Sequence, residues 1–188
     1  MLAGTGPTAV IAADLNGDTI IDLATANSLS NDVSILYGTG LGAFQPQQRL
    51  LAGTRPSALA VADINGDLFL DLIVANKNSN DITIFYNTGT GTFQPGLRIS
   101  VGKAPNSVAV ADVNRDGVLD IVIGNADSKD VSILLGSGNG SFAPEQRFAT
   151  RGGPVSIADF GADGFPDIVL PRDNGTFDSS AAMVLLHH

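Results

Sequence analysis

The chain has 188 residues, of which 44% are hydrophobic and 15% charged, and its formal net charge is −9. This composition predicts a globular chain with a substantial core, and its acidity argues against nucleic acid or an anionic membrane as a partner. The absence of Cys excludes disulfides and thiolate metal sites, and the longest apolar run, Ala181 to Leu186, is too short to cross a bilayer.

The first unit of the chain holds four short runs that are rich in Val, Ile, Leu and Ala. PTAVIAA starts at Pro7, and after an acidic loop come DLATANS, NDVSILYGTG and GLGAFQPQQRLL. Asn, Asp and Gly separate the runs, and none has the 3.6-residue periodicity of a helix. We therefore predict four strands. The Ala-rich first run is typical of an innermost strand, and Pro46 in the last run indicates an edge strand.

The same unit is repeated along the whole chain. The first Asp of the acidic loop recurs after 49, 49 and 47 residues, at Asp14, Asp63, Asp112 and Asp159. Four strands in a period of this length are typical of a β-propeller blade. The sequence predicts an all-β fold of four propeller blades, each with four antiparallel strands. We place the repeats at approximately residues 6–54, 55–103, 104–152 and 153–188 of a single propeller domain or partial propeller.

The acidic loops read DLNGDTIID, DINGDLFLD, DVNRDGVLD and DFGADGFPD, and they contain twelve of the eighteen Asp residues. Side-chain oxygens occupy positions 1, 3, 5 and 9 of the first three loops, and position 7 can offer its backbone carbonyl. A loop with this spacing can wrap its oxygens around one hard cation. Purely oxygen ligands favour Ca²⁺ over zinc or copper, and Mg²⁺ resists the dehydration that a crowded loop demands.

A simple turn is the alternative interpretation, because Asp, Asn and Gly are common turn formers. A single DxNGD segment would favour the turn, but three intact copies favour metal binding. In the fourth loop Gly161 replaces the Asn and removes a side-chain ligand. We therefore expect three strong calcium sites and a fourth that is weaker or absent.

The turns GLGAF at 40–44, GTGTF at 89–93 and GNGSF at 138–142, together with the loops, resemble the FG-GAP or VCBS-type repeat family, which includes the head of integrin alpha chains. The resemblance implies a calcium-binding β-propeller in which position 7 ligates through its carbonyl. The ligands that it implies are Asp14, Asn16, Asp18, Ile20 and Asp22; Asp63, Asn65, Asp67, Phe69 and Asp71; Asp112, Asn114, Asp116, Val118 and Asp120; and Asp159, Asp163, Phe165 and Asp167.

No catalytic arrangement stands out, and we predict that the chain is not an enzyme. The only His residues are His187 and His188, so no Ser or Thr has a His base nearby in sequence. Asp32, Asp81 and Asp130 recur at one blade position and Arg49, Arg98 and Arg147 at another, which indicates blade architecture. We expect Phe44, Phe93 and Phe142 to pack inside the blades.

Two functional hypotheses remain. The first is an extracellular or cell-surface binding and adhesion module with a glycan or protein ligand, whose export signal lies outside this sequence. The second is a structural, self-assembling unit with calcium-stabilised blades. MLAGTGP aligns with LLAGTRP at 50–56, so we expect an incomplete ring that becomes a homo-oligomer or part of a larger propeller. A small ring of four blades with an imperfect seam is the alternative.

Overall fold

The computed structural model describes residues 4–162, 164–170 and the backbone of 182–184. These residues form strands and turns without a helix, so none of them belongs to a helix that could span a membrane. The all-β prediction is confirmed. The strands are β1 (Pro7–Ala13), β2 (Asp22–Asn27), β3 (Asp32–Leu36), β4 (Gly38–Gly40), β5 (Ala43–Phe44), β6 (Gln48–Leu51), β7 (Pro56–Ala62), β8 (Asp71–Asn76), β9 (Asp81–Phe85), β10 (Leu97–Ser100), β11 (Pro105–Ala111), β12 (Asp120–Asn125), β13 (Asp130–Leu134), β14 (Gln146–Ala149), β15 (Ser156–Ala158), β16 (Asp167–Leu170) and β17 (Ala182–Val184).

Each sheet takes its strands from one sequence repeat, and we call these sheets blades 1 to 4. Blade 1 has the order β1-β2-β3-β6, blade 2 the order β7-β8-β9-β10, and blade 3 the order β11-β12-β13-β14. All neighbouring strands are antiparallel. Blade 4 has the order β15-β16-β17 among its described residues. The predicted blade architecture is therefore confirmed.

Strand register places the acidic loops at the same end of every blade. Ala13, the residue before loop 1, pairs with Asp22, the last residue of that loop and the first of β2. The same pairing joins Ala62 to Asp71, Ala111 to Asp120 and Ala158 to Asp167. Each loop therefore connects the innermost strand of its blade to the second strand.

Hydrophobic clusters lie between consecutive blades. Val33 and Ile35 of blade 1 pack with Leu72, Val74 and Phe85 of blade 2. Corresponding clusters join blade 2 to blade 3 and blade 3 to blade 4. The innermost strands also pack in sequence, with β7 against β1, β11 against β7, and β15 against β11. Blades stacked face to face around neighbouring inner strands are the arrangement of a propeller.

Among the described residues the sheets do not close into a ring. The face of blade 1 that points away from blade 2 leaves Val10 66% exposed and Ile21 56% exposed. Their counterparts Leu59 and Leu70 pack against blade 1 in the first inter-blade cluster.

The fourth runs of repeats 1 to 3 supply the outer strands β6, β10 and β14, as predicted, but each strand takes only the second half of its run. Pro46 lies between the short strand β5 and the outer strand β6, because proline has no N–H to donate to a strand ladder. Phe93 and Phe142 also depart from the prediction. They pack against the clusters between blades rather than inside one blade.

Candidate metal sites in the acidic loops

The four loops share one backbone conformation. Positions 4 and 6 of each loop have positive φ angles, in the left-handed region that non-glycine residues seldom adopt. These positions are Gly17 (φ 77°) and Thr19 (68°), Gly66 (76°) and Leu68 (73°), Arg115 (62°) and Gly117 (85°), and Ala162 (53°) and Gly164 (82°). Loop 4 thus keeps both left-handed positions although Gly161 has replaced the Asn of the other loops.

Position 1 accepts hydrogen bonds from the loop backbone. In loop 1, Asp14 Oδ1 accepts the N–H of Gly17 at 2.7 Å, and Asp14 Oδ2 accepts that of Thr19 at 2.8 Å. Asp63, Asp112 and Asp159 accept the same kind of N–H donor in loops 2, 3 and 4. Desolvation acts to raise the pKa of Asp14, but its backbone hydrogen bonds lower that pKa overall. The first carboxylate is therefore held in place as an anion.

Positions 3 and 5 lie together beside position 1. Asn16 Oδ1 accepts the N–H of Asp18 at 3.0 Å, and Asn16 Nδ2 donates to Asp18 Oδ2 at 3.0 Å. Loops 2 and 3 repeat both contacts. At position 7, the N–H of Ile20 donates to Asp18 Oδ1 at 2.8 Å. In loop 4 the predicted ligand Asp163 lies outside the described residues.

Position 9 lies beneath each loop and is buried. Asp22 accepts the N–H of Leu15 at 2.8 Å with Oδ2 and that of Gly38 at 2.7 Å with Oδ1. Asp71 and Asp120 make the corresponding pairs of contacts. Among the described residues of blade 4, Asp167 accepts the N–H groups of Phe160 and Gly161 in loop 4. In loops 1 to 3 this residue thus ties the loop to the hairpin that follows the third strand.

Burial raises the pKa of Asp71 to about 6, and the negative charges of Asp67 and Asp63 add to the increase although two backbone N–H groups oppose it. The pKa of Asp120 is raised for the same reasons, with burial the largest. The ionised forms of Asp71 and Asp120 are thus disfavoured, mainly by burial and further by the neighbouring carboxylates, and a cation among the carboxylates would offset the repulsion.

The donor set of loops 1 to 3 fits a hard cation. Within the described part of the chain, the structure does not gather three or more His, Cys, Asp or Glu side chains into a metal-holding group. Backbone N–H groups occupy the carboxylates instead. Each ionised carboxylate has about four lone-pair sites. In loop 1, Asp14 accepts four N–H groups, whereas Asp18 and Asp22 accept two each and therefore keep acceptor capacity. Three carboxylates, an amide oxygen and a backbone carbonyl per loop match the oxygen ligands that Ca²⁺ takes.

Side chains connect neighbouring blades through contacts that the sequence did not predict, to two Gly-rich turns and to loop 1. The Tyr37 hydroxyl donates to the carbonyl of Gly91 in the next blade, and Tyr86 makes the same contact to Gly140. Asn87 Nδ2 donates to the carbonyl of Leu15 in loop 1 at 2.7 Å. The sequence offers one indication of the Asn87 contact, because Asn87 stands where repeats 1 and 3 have Gly38 and Gly136.

A recurring Asp–Arg ion pair lies at the end of each of blades 1 to 3 that is opposite the acidic loop. Asp32 is buried and pairs with Arg49 across β3 and β6. Asn27 Nδ2 donates to Asp32 Oδ1 at 2.8 Å and to Ser34 Oγ at 2.9 Å. Blades 2 and 3 repeat this network. The network connects the strands of one blade, as expected of an architectural role.

A cleft of about 400 Å³ lies between blades 2 and 3 next to loop 2. It is lined by Asp63, Ile64 and Gly66 from blade 2 and by Val118, Leu119 and Gly138 from blade 3. At the equivalent of Val118, blade 2 has Phe69, whose ring lies against Gly89. The cleft thus combines acidic and backbone oxygens with an apolar wall.

The model of the FG-GAP-like repeat matches residues 14–74 and 63–123, which together span more than half of the chain. No curated protein sequence matches the chain. Among solved structures, an Agrocybe aegerita lectin that recognises non-reducing terminal N-acetylglucosamine is 24% identical with a TM-score of 0.61, over 88% of this chain and 47% of the lectin.

Two further solved structures are similar. BBS1N, crystallised in complex with ARL6DN, is 16% identical with a TM-score of 0.62, over 88% of this chain and 51% of that one. The V. cholerae biofilm matrix protein Bap1 is 23% identical with a TM-score of 0.53, over 87% of this chain and 23% of Bap1. The chain therefore spans about half the length of the lectin and of BBS1N, and the likeness at these identities is one of fold.

Proposed function

The chain belongs to the FG-GAP-like repeat family, and we propose that it is a non-enzymatic, calcium-stabilised propeller module that binds a glycan or protein ligand outside the cell. The observation that supports calcium binding is the common geometry of loops 1 to 3. In each, one Asp is fixed by loop N–H groups, an Asn and a second Asp lie beside it, and a third Asp is buried below.

In this proposal Asp14, Asn16, Asp18 and Asp22 hold the ion of loop 1 with the carbonyl of Ile20, and the matching residues of loops 2 and 3 do the same. The ion supplies positive charge to three carboxylates that otherwise repel one another. With millimolar calcium and a dissociation constant of about 10 μM, each site would stabilise the fold by about 2.7 kcal/mol.

Calorimetric titration and thermal unfolding test the calcium proposal. We expect three strong ions per chain, a weaker or absent fourth, and a melting temperature that falls when a chelator replaces millimolar calcium. Asp67→Asn should remove one strong site. Asp127→Asn is the matched control, because Asp127 is an exposed carboxylate outside the loops. An identical melting temperature in chelator and in calcium would contradict the proposal.

The absence of enzymatic activity is proposed from the sequence. The only imidazoles belong to His187 and His188, which lie outside the described residues, and the loop carboxylates recur in every repeat. Recurrence of this kind suits a structural ion better than a single reaction centre.

A glycan is the ligand that we favour, because the similar Agrocybe aegerita protein is a lectin. The cleft between blades 2 and 3 is our candidate position for it. The Gly138 carbonyl faces Gly66 across the cleft and can accept a hydrogen bond from a sugar hydroxyl, while Val118 and Leu119 offer an apolar wall to the sugar ring. Ligand pockets commonly combine an apolar lining with a few polar groups in this way.

Binding to a glycan array in calcium tests this ligand. Val118→Phe should fill the cleft and abolish binding, and the fold should tolerate it because Phe69 occupies the same loop position in blade 2. Ile20→Phe is the matched control, because Ile20 occupies the same loop position in blade 1 and does not line this cleft. Equal binding by the Val118→Phe variant and the wild type would exclude the cleft as the site.

Self-assembly is the second candidate function, and the exposed face of blade 1 favours it. Val10 and Ile21 would be covered if another blade packed there as blade 2 packs on blade 1, where Leu59 and Leu70 occupy the same positions. Light scattering should then detect a homo-oligomer that Val10→Lys dissociates. A monomer at all concentrations would exclude this candidate.

A further inference from the structure

Loop 3 contains an arginine at a position where loops 1 and 2 have glycine. Arg115 occupies position 4 with a φ of 62°, and its counterparts are Gly17 and Gly66 with φ angles of 77° and 76°. A left-handed backbone is unfavourable for a residue with a Cβ. Glycine would suit this backbone conformation better than arginine. The feature that distinguishes Arg115 from its counterparts is its side chain.

The Arg115 side chain reaches from blade 3 to the acidic loop of blade 4. Its guanidinium carbon lies 4.4 Å from the ring centroid of Phe165, which is position 7 of loop 4. Its Nη2 atom lies 4.0 Å from the point that a Cβ on Gly164 would occupy. The planar cation thus stacks on the aromatic face and sits beside the turn of loop 4.

Loop 4 is the loop in which the ligand set is incomplete. Gly161 provides no side-chain oxygen, yet Asp159, Asp163 and Asp167 leave the loop as acidic as the other three. Its backbone retains the two left-handed positions, and buried Asp167 accepts the N–H of Phe160 at 2.9 Å and that of Gly161 at 3.3 Å. Loop 4 therefore keeps the left-handed positions and the charge of the other acidic loops, while it has lost one side-chain ligand.

We propose that Arg115 supplies the positive charge that loop 4 would otherwise take from a metal ion, so that loop 4 is held by the protein's own cation. The guanidinium also repels a second cation, and loop 4 therefore stays free of calcium under conditions that fill loops 1 to 3. The comparison with loops 1 to 3 rests on the proposed calcium function, whereas the contact between Arg115 and loop 4 does not depend on it.

Two measurements on Arg115→Gly test the proposal. Glycine is the residue of loops 1 and 2, so the substitution suits the backbone of loop 3. In calcium, native mass spectrometry should count three ions on the wild type and four on the variant. In chelator, amide hydrogen exchange within residues 156–170 should accelerate about two- to fivefold, as expected for loss of an exposed cation–π pair. Added calcium should reverse that acceleration.

Arg55→Gly is the matched control, because Arg55 is an exposed arginine with a φ of 58° that lies outside the acidic loops. It should leave both the ion count and the exchange of loop 4 unchanged. Phe165→Leu removes the aromatic ring on which Arg115 stacks. It should therefore accelerate exchange in chelator as Arg115→Gly does.

The proposal would be overturned if Arg115→Gly left amide exchange in loop 4 unchanged. It would also be overturned if the chain bound calcium and the variant held as many ions as the wild type. A wild type that binds four ions would do the same. Failure of the proposed calcium function has a different signature, since no loop would then bind calcium. In that case the exchange measurement in chelator still decides whether Arg115 holds loop 4.

Discussion

The buried ninth residue of each acidic loop permits a substitution that separates structural support from metal binding. Asp22 is fully buried, and its two carboxylate oxygens each accept one backbone N–H, from Leu15 and from Gly38. Asp22→Asn replaces one oxygen with an NH₂ group that cannot accept a hydrogen bond. One of the two backbone donors is then left unpaired in the interior of the blade.

An unsatisfied buried donor costs about 1–3 kcal/mol. For a chain of this size a loss of 1 kcal/mol lowers the melting temperature by about 2–4 °C. We therefore expect Asp22→Asn to melt about 2–12 °C below the wild type even in chelator, where calcium makes no contribution. Asp18→Asn is the matched variant, because Asp18 is exposed on the same loop. Asn keeps an oxygen for the Ile20 N–H and removes one of three mutually repelling charges, so this variant should melt no lower than the wild type in chelator and lose stabilisation only when calcium is present.

Circular dichroism melts of the three proteins, each in chelator and in millimolar calcium, measure both effects. If Asp22→Asn and the wild type melt together in chelator, the two backbone hydrogen bonds do not support the blade as argued. If Asp18→Asn is already destabilised in chelator, the fifth position has a structural role that its exposure does not indicate.

Three other substitutions probe the contacts between blades, each by denaturant unfolding. Asn87→Ala should lower stability by about 1–3 kcal/mol because it leaves the Leu15 carbonyl without its donor; an unchanged midpoint would show that water replaces the amide. Tyr37→Phe removes only the hydroxyl that donates to Gly91 and should cost about 0.5–1.5 kcal/mol; a larger loss would indicate a packing change. Ile84→Ala, at a fully buried position between blades 2 and 3, should cost about 2–5 kcal/mol; a loss below that range would mean that the neighbouring blade collapses into the space.

The blades and the loops were predictable because their signals are local and repeated. Asp14 and Asp63 lie one period apart, and the runs between them have the length and composition of strands. The extent of the outer strand was not predicted, because composition does not show where the ladder resumes after Pro46. The contact from Asn87 to Leu15 joins residues 72 positions apart and occurs at a departure from the repeat. No periodic pattern can reveal such a contact.

The role of the ninth loop residue was also hidden from the sequence. Its spacing from Asp14 indicates a ligand, but the N–H of Gly38 that Asp22 accepts comes from a hairpin 16 residues further on. Arg115 illustrates the same limit. The sequence shows that it departs from the glycines of loops 1 and 2, whereas its position over Phe165 depends on how blade 4 packs on blade 3.

The location of the hydrophobic clusters between blades has a thermodynamic consequence. Since the apolar side chains of blade 2 are shared between a cluster with blade 1 and a cluster with blade 3, a blade has little stability of its own and depends on nearest-neighbour coupling. In such a one-dimensional array, opening an end unit breaks one interface and opening a middle unit breaks two. Unfolding should therefore begin at the outer blades and advance inward, and the slowest amide exchange should be found in β8 and β12.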